Sequence, residues 1–319
     1  MKALRLGTRG SQLALWQARA AAALVERAGG PPCEVVVIKT SGDRLAEAPL
    51  SEVGGKRLFV KEIEDALLRR DVDFAVHSCK DMPAVLPDGL VIGAVLSRED
   101  PRDVLVLPAS SVRPATVEEW FAALCPGARI GTSSVRRVAE LTRLLPGASF
   151  LPVRGNLDTR LKKLDAAGFD ALALAAAGMR RLGFTERISF TLPVDACVPA
   201  PGQGAIAIEM RVDDRRTREA LAAIDHPETA SAVTAERALV ATLGGGCQTP
   251  VGAVAVADGG DLDLHAVVVS LDGLRVVRGR DRAPRGEAAA LGARLGRQLI
   301  ADGAEAILED VRSAQQEFH

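Results

Sequence analysis

DVDFAVHSCKDM (residues 71–82) and GFDALALAAAGM (residues 168–179) share a faint plan: an aspartate, an apolar run of strand length, then a turn that is polar in one and small in the other. The likeness points to two similarly built α/β halves. Upstream of the first stretch, Phe59, Ile63, Ala66 and Leu67 align on one helix face. Earlier still come a short apolar start (Ala3, Leu4, Leu6) and a helix with Leu13, Trp16, Ala20 and Leu24 on one face. Gly29 to Pro32 stop that helix, a buried strand is expected at Glu34 to Ile38, and a polar loop runs from Ser41 to Arg57. Around the second stretch, strands are expected at Val104 to Leu107, at Ile130 and at Ala171 to Ala175. Helices are marked there by Val138, Leu141 and Leu145, and by Leu157, Leu161 and Leu164.

Two polar or Pro/Gly-rich segments, SREDPRD (97–103) and VPAPGQG (198–204), read as crossings between the halves, and the strand pattern AIAIE follows the second. The chain therefore leaves its first domain and returns to it, with a cleft between the halves of the kind that holds small molecules. Beyond, a helix with Ala235, Leu239 and Leu243 meets GGGCQTPVG, and Asp258-Gly259-Gly260 and Asp272-Gly273 signal hairpins. A helix with Leu291, Leu295 and Leu299 completes a small α+β domain. The expected architecture is two α/β domains around a cleft plus that C-terminal domain: residues 1–98 with 199–222, residues 103–198, and residues 226–319.

Composition narrows the function. A length of 319 residues suits two or three domains, and the longest apolar runs are strand-sized, so no transmembrane or secretory segment is expected and the chain reads as cytoplasmic. A net charge of −1 argues against a general nucleic-acid or membrane-surface binder. Aromatic residues make up 3% and tyrosine is absent, which leaves little for base stacking. The five cysteines are odd in number and widely spaced, with no CxxC and no HExxH, so neither a metal site nor a disulfide framework is expected.

The arginines cluster. Gly131 to Arg137 (GTSSVRR) stands at a predicted helix start, where Ser133 or Ser134 is a natural N-cap. Arg136 and Arg137 in the first turn oppose the helix dipole, and an anionic ligand held there would relieve the conflict; a solvated pair is the alternative. Arg9 and Ser11, Arg154-Gly155 with Arg160, and Arg181 also fall near strand ends or helix starts, where open α/β sheets bind ligands. As a set they suit a substrate with many carboxylates or phosphates. Lys80 and Asp81 follow the strand Phe74 to Val76; Asp81 there can accept a substrate N–H, stabilise a developing cation and pass on a proton, or be one half of a local surface pair. Cys247 sits after three glycines, as an accessible thiol for nucleophilic attack or attachment, whereas Cys33, Cys79, Cys125 and Cys197 have strand-adjacent or apolar contexts and read as inert. The stretch Gly54-Gly55-Lys56, with Phe59 beyond it, is a lid candidate over the cleft, or an ordinary surface loop.

GTRGSQLALWQA, GGKRLFVKE, AVHSCKDMP, REDPRDV, IGTSSVRR, VRGNLDTRL, AAAGMRRLG, PGQGA, TAERAL and GGGCQTPVG, in this order and over nearly the whole chain, resemble the porphobilinogen deaminase family. The resemblance implies a three-domain protein whose first two domains are like type II periplasmic binding proteins. It implies a dipyrromethane cofactor in thioether linkage to Cys247, and Asp81 as the catalytic carboxylate. It implies that Arg9, Ser11, Lys80, Thr132, Ser134, Arg136, Arg137, Arg154, Arg160 and Arg181 hold acetate and propionate groups, with Ser133, Gly155, Gln17 and Gln203 in matching motifs. The implied chemistry is loss of ammonia from porphobilinogen to an azafulvene, attack by the terminal pyrrole on Cys247, repetition, and hydrolytic release of a linear tetrapyrrole from a monomeric enzyme. Arg57, Gly244 and Cys79 depart from the usual glycine, glutamate and methionine. A non-catalytic anion-binding protein of the same two-lobed fold is the main rival, and it needs neither Cys247 nor Asp81. An enzyme of phosphorylated substrates is the other, disfavoured by the absence of a P-loop, a Rossmann fingerprint and metal ligands.

Overall fold

The structure, a computed structural model, describes residues 2–41, 60–111, 116, 119–120, 124, 127–245 and 249–316, so Lys56, Phe59, Cys125 and Cys247 lie outside the described residues. The first half contributes β1 (Leu4–Thr8), α1 (Gln12–Arg27), β2 (Cys33–Val37), α2 (Lys61–Leu68), β3 (Phe74–Ser78) and β4 (Leu90–Val95). The second contributes β5 (Asp103–Val106), β6 (Arg129–Gly131), α3 (Val135–Leu144), β7 (Ser149–Leu151), α4 (Leu157–Lys163), β8 (Ala171–Ala175), α5 (Ala176–Arg181) and β9 (Phe190–Thr191). The chain returns to the first half with β10 (Ile206–Arg211) and α6 (Arg215–Ala222). It ends in α7 (Pro227–Thr242), β11 (Val251–Asp258), β12 (Asp261–Val269), β13 (Val276–Pro284), α8 (Ala288–Leu299) and α9 (Glu305–Gln316).

The two α/β sheets have the same plan: β2-β1-β3-β10-β4 and β7-β6-β8-β5-β9. In each, the first three strands are parallel and the fourth runs antiparallel to both neighbours. Each antiparallel strand is the one that follows a crossing, β5 after residues 97–103 and β10 after residues 198–204. The strands of the two faintly similar stretches, β3 and β8, hold equivalent central places. Their apolar runs are buried because strands flank both edges and helices cover the faces.

Two expectations are corrected. Glu34 to Ile38 was expected as a buried strand, yet β2 is a sheet edge with one neighbour, and Val37 is half exposed. In α1 the buried face is Gln17, Ala18, Ala21, Ala22 and Val25, not the Leu13, Trp16, Ala20 and Leu24 line. The small residues let α1 lie close on the sheet over Leu4, Leu6, Phe74 and Val76, while Trp16 stays at the rim.

The C-terminal part is an antiparallel meander, β11-β12-β13, turning at Gly259-Gly260 and around Gly273, with α7, α8 and α9 over a shared core that includes Leu239, Leu264, Leu291, Leu295 and Leu308. It docks on the second crossing, where Ala253 N donates to Pro199 O at 2.9 Å. The two crossings run side by side. Glu99 N donates to Gly204 O (3.1 Å), Arg98 Nε to Gln203 O (2.9 Å) and Gln203 Nε2 to Pro101 O (2.6 Å). Gly204 is required for that approach: its φ is +86°, and a β-carbon would sit 2.3 Å from Glu99 O.

Candidate active site

The parallel strands of both halves point their carboxyl ends into the cleft. Arg9 lies just past β1, and Lys80 and Asp81 form a single 3-10 turn after β3. From the other half come Thr132 just past β6, Arg154 beyond β7, and Arg181 in α5, which follows β8 directly. A solvent-open pocket is shared by Arg9, Ser11, Gln17, His77, Ser78 and Asp81. Ser11 also caps α1, accepting from Ala14 N at 3.3 Å, and the buried Gln17 exchanges hydrogen bonds with Ser78 Oγ (3.0 and 3.2 Å). Those bonds fix the wall of the cavity beside Asp81.

Lys80 turns away from that cavity toward the hinge, where its Nζ lies 3.2 Å from Gln203 Oε1. The same oxygen accepts from Arg137 Nη2 at 3.4 Å. Burial, and then the neighbouring Arg137, bring the Lys80 ammonium down to about 8, although Asp81 and Asp103 favour its charge. Arg160 gives its Nε to Gly155 O at 2.8 Å; among the described residues its two terminal nitrogens have no hydrogen-bond partner, and neither does the Arg154 guanidinium. Burial and Arg137 lower the Arg160 pKa, and Asp81 is the carboxylate that opposes them. Lys80 from one half and Arg160 from the other are thus desolvated cations near one carboxylate, a setting that favours a further anion.

The conflict expected in the first turn of α3 is met from within. Ser134 caps the helix (Arg137 N to Oγ, 3.4 Å), and Ser134 N donates to the buried Thr132 Oγ1 at 3.2 Å. Arg136 Nη2 lies 2.6 Å from Asp103 Oδ2, while its Nη1 reaches Val198 O (2.8 Å) and Glu140 Oε1 (3.1 Å). Arg137 donates to Asp103 Oδ1 from Nε (3.0 Å) and Nη2 (2.8 Å), and to Ala173 O (3.0 Å). Burial opposes both charges, yet Asp103 holds the Arg136 pKa above its ordinary range, and Arg136 with Arg137 holds the Asp103 carboxyl below its own. Removing one partner of such a buried set costs about 3–5 kcal/mol.

Other expected residues have structural partners as well. Ser133 Oγ bridges Val153 O (2.9 Å) and Val153 N (3.1 Å). Gly155 takes φ +104° in the turn before α4, between Arg154 of the turn and Arg160 of the helix. Arg181 donates to Gly204 O at 2.6 Å, and its guanidinium lies 5.7 Å from the Trp16 ring centroid, so it ties α5 to the crossing and to α1. Burial lowers its pKa to about 10.

Helix α7 ends at Thr242 with Leu243 as its C-cap, Gly244 N donating to Ala241 O (3.2 Å) and Gly245 N to Val240 O (3.1 Å), immediately before Gly246-Cys247-Gln248, which lie outside the described residues. Burial raises the thiols of Cys33 and Cys79 to about 11 and that of Cys197 well above its ordinary value, so none of these three supplies a thiolate at neutral pH. Among the described residues, no group of three or more His, Cys, Asp or Glu is arranged to hold a metal.

Sequence reasoning missed Asp103 and the Arg98–Glu236 pair. Glu236, fully buried on α7, accepts from Arg98 (2.5 and 3.2 Å), Gly202 N (2.6 Å) and Ala255 N (2.7 Å), joining hinge to C-terminal part. The available signal was three carboxylates (Glu99, Asp100, Asp103) in one short crossing, opposite an arginine-rich helix start. His77 and Glu209, buried with 3.0 Å between Nε2 and Oε2, were likewise unread.

Residues 4–219 match the family described as porphobilinogen deaminase, dipyromethane cofactor binding domain, and residues 230–301 match porphobilinogen deaminase, C-terminal domain. A Geotalea daltonii protein named porphobilinogen deaminase is 46% identical over 312 residues, covering 98% of this chain and 95% of the relative. One of the same name from Geobacter metallireducens is 47% identical over 311 residues, covering 97% and 95%. Immunogenic lipoprotein A of Vibrio vulnificus overlays 73% of this chain and 99% of its own, at 14% identity and a TM-score of 0.43.

Proposed function

The chain belongs to the porphobilinogen deaminase family, and from that premise we propose how its own residues divide the reaction. The enzyme removes ammonia from porphobilinogen and condenses the pyrroles head to tail on a dipyrromethane primer, releasing the linear tetrapyrrole hydroxymethylbilane by hydrolysis. When bound, the dipyrromethane supplies the free pyrrole α-carbon to which the first incoming unit is joined.

The observation that carries this reading is Asp81 on the wall of the open pocket, its carboxylate acting on Lys80 and Arg160, desolvated cations of the two halves. Each pyrrole brings two carboxylates, and the donor set fits them. Arg9, Ser11 and Gln17 line the Asp81 cavity, Lys80 and Arg137 meet at the hinge on Gln203, and Arg154, Arg160 and Arg181 belong to the second half. Thr132, Ser133, Ser134, Gly155 and Gln203 shape the loops between them, with Arg136 behind. Asp81 holds pyrrole N–H groups, faces the positive charge that develops as ammonia departs, and carries the proton to the leaving amine. Cys247 is the attachment point, in the glycine run that follows α7 in the sequence; the lid candidates Lys56 and Phe59 lie outside the described residues.

We take the domains as residues 1–98 with 199–222, 103–198 and 226–319, in a cytoplasmic monomer. Among the described residues no helix is long and apolar enough to cross a membrane. The test is the intact mass of the purified protein, before and after adding porphobilinogen. An excess of two linked pyrroles mapped to Cys247, and absent from Cys247→Ala, is expected. A protein that carries no such adduct and acquires none would leave the anion-binding reading in its place.

A further inference from the structure

Resting on that reading, we propose that Asp103 is a positioning residue of the reaction: a buried hinge carboxylate that holds Arg136, Arg137 and Gln203 as one unit, so that Lys80 and Arg137 meet substrate carboxylates as a fixed pair. Asp103 is the first residue of β5 after the first crossing and has no exposed surface. Its Oδ1 accepts from Arg137 Nε and Nη2 and from Gln203 Nε2 (3.0, 2.8 and 2.8 Å), and its Oδ2 faces Arg136 Nη2 (2.6 Å). Gln203 is thereby oriented, its amide nitrogen taken by Asp103 and Pro101 and its oxygen left to Lys80 and Arg137. The path from Asp103 through Gln203 to Lys80 crosses from one half of the molecule to the other.

Charge explains why a carboxylate is needed at this point. Two cations, Lys80 and Arg137, converge on one amide oxygen at 3.2 and 3.4 Å and repel each other. Asp103 offsets that repulsion from behind. Asp103 and Glu140 match Arg136 and Arg137 behind the cleft, and the remaining cation, Lys80, stands beside Asp81.

The experiment uses the full chain with Asp103→Asn, Asp103→Glu and Gln203→Met. In Asp103→Asn the KM for porphobilinogen is expected to rise at least about tenfold, as for loss of a charged hydrogen bond, with partial recovery in Asp103→Glu. Without substrate, the Lys80 side chain, followed by the NMR of its Cε, should titrate at lower pH in Asp103→Asn than in the wild type. Should Asp103→Asn fail to fold, Gln203→Met serves, since it leaves the ion pairs of Asp103 with Arg136 and Arg137 in place and removes the amide that joins them to Lys80; a severalfold rise in KM is expected. Wild-type KM and Lys80 titration in a folded Asp103→Asn, or wild-type KM in Gln203→Met, would overturn the proposal. A wild-type protein that never acquires pyrroles would instead overturn the reading beneath it.

Discussion

The turns after β3 and β8 occupy the same place in two sheets of one strand order, yet one carries charged side chains and the other small ones. After β3 the chain makes a 3-10 turn, Cys79-Lys80-Asp81, whose charged side chains stay partly open to the cleft and hinge. After β8 it runs straight into α5 with Ala176 and Ala177, both buried, and Gly178, where a β-carbon would come within 3.8 Å of Leu13 on α1. The small residues let the second half lie against the first, and the charge comes one turn later, at Arg180 and Arg181. Topology fixes where a ligand can sit; the residues at the strand end decide which half acts on it.

The sharpest way to break that contrast is to make the β3 turn as neutral as its counterpart. Asp81→Asn removes the proposed proton carrier and keeps the shape. A fall in kcat on the order of 10²–10⁴ is expected, the range assigned to a positioned acid–base group. Stability should barely change, since Asp81 is only partly buried, and a primer already loaded should remain on the protein by mass. An Asp81→Asn enzyme with wild-type kcat would mean that the β3 turn is no more reactive than the β8 turn.

Much of this was legible because it is local. Apolar runs bounded by turn residues gave β3, β8 and β10, and two Gly-containing hairpins gave the C-terminal meander. The face of α1 was misjudged because large apolar residues look like core, whereas close packing on a sheet favours the alanines. Asp103 was illegible for a different reason. Its partners lie 33, 34 and 100 positions along the chain, and nothing in a local pattern reveals that SREDPRD supplies the counter-ion for the α3 arginines. The expectation of an anion at that helix start was physically sound; the protein itself provides one.

The next contrast is between cations the protein has matched and cations it has not. Arg136 sits between Asp103 and Glu140, whereas Arg160 is desolvated with unpartnered terminal nitrogens among the described residues. Arg160→Gln should therefore raise the KM for porphobilinogen about 10- to 100-fold, the equivalent of a charged hydrogen bond, with an unfolding midpoint near that of the wild type. Arg136→Gln should show the reverse emphasis, a loss of about 3–5 kcal/mol in stability from the stranded buried carboxylate. Equal effects on KM and stability in both variants would erase the distinction. Denaturant titrations beside initial rates decide it.

The smallest effect expected belongs to Lys80, and its sign differs between folding and binding. Burial and Arg137 hold its ammonium at about 8, below the ordinary 10.5. Between those values the unfolded chain keeps a proton that the folded chain has released, so this residue makes stability rise with pH there; below about 8 its burial penalty is present in full. Carboxylate binding runs the other way, because only the ammonium attracts an anion. In the free enzyme kcat/KM should thus decline above pH 8, approaching about tenfold per pH unit if Lys80 charge is indispensable and less if Arg137 compensates. A bound carboxylate raises the Lys80 pKa, so kcat should break at higher pH than kcat/KM. Lys80→Arg, whose cation does not titrate in this range, should remove the decline. A kcat/KM profile that stays level well above pH 8 in the wild type would show that the cation at the end of β3 stabilises the turn rather than the substrate.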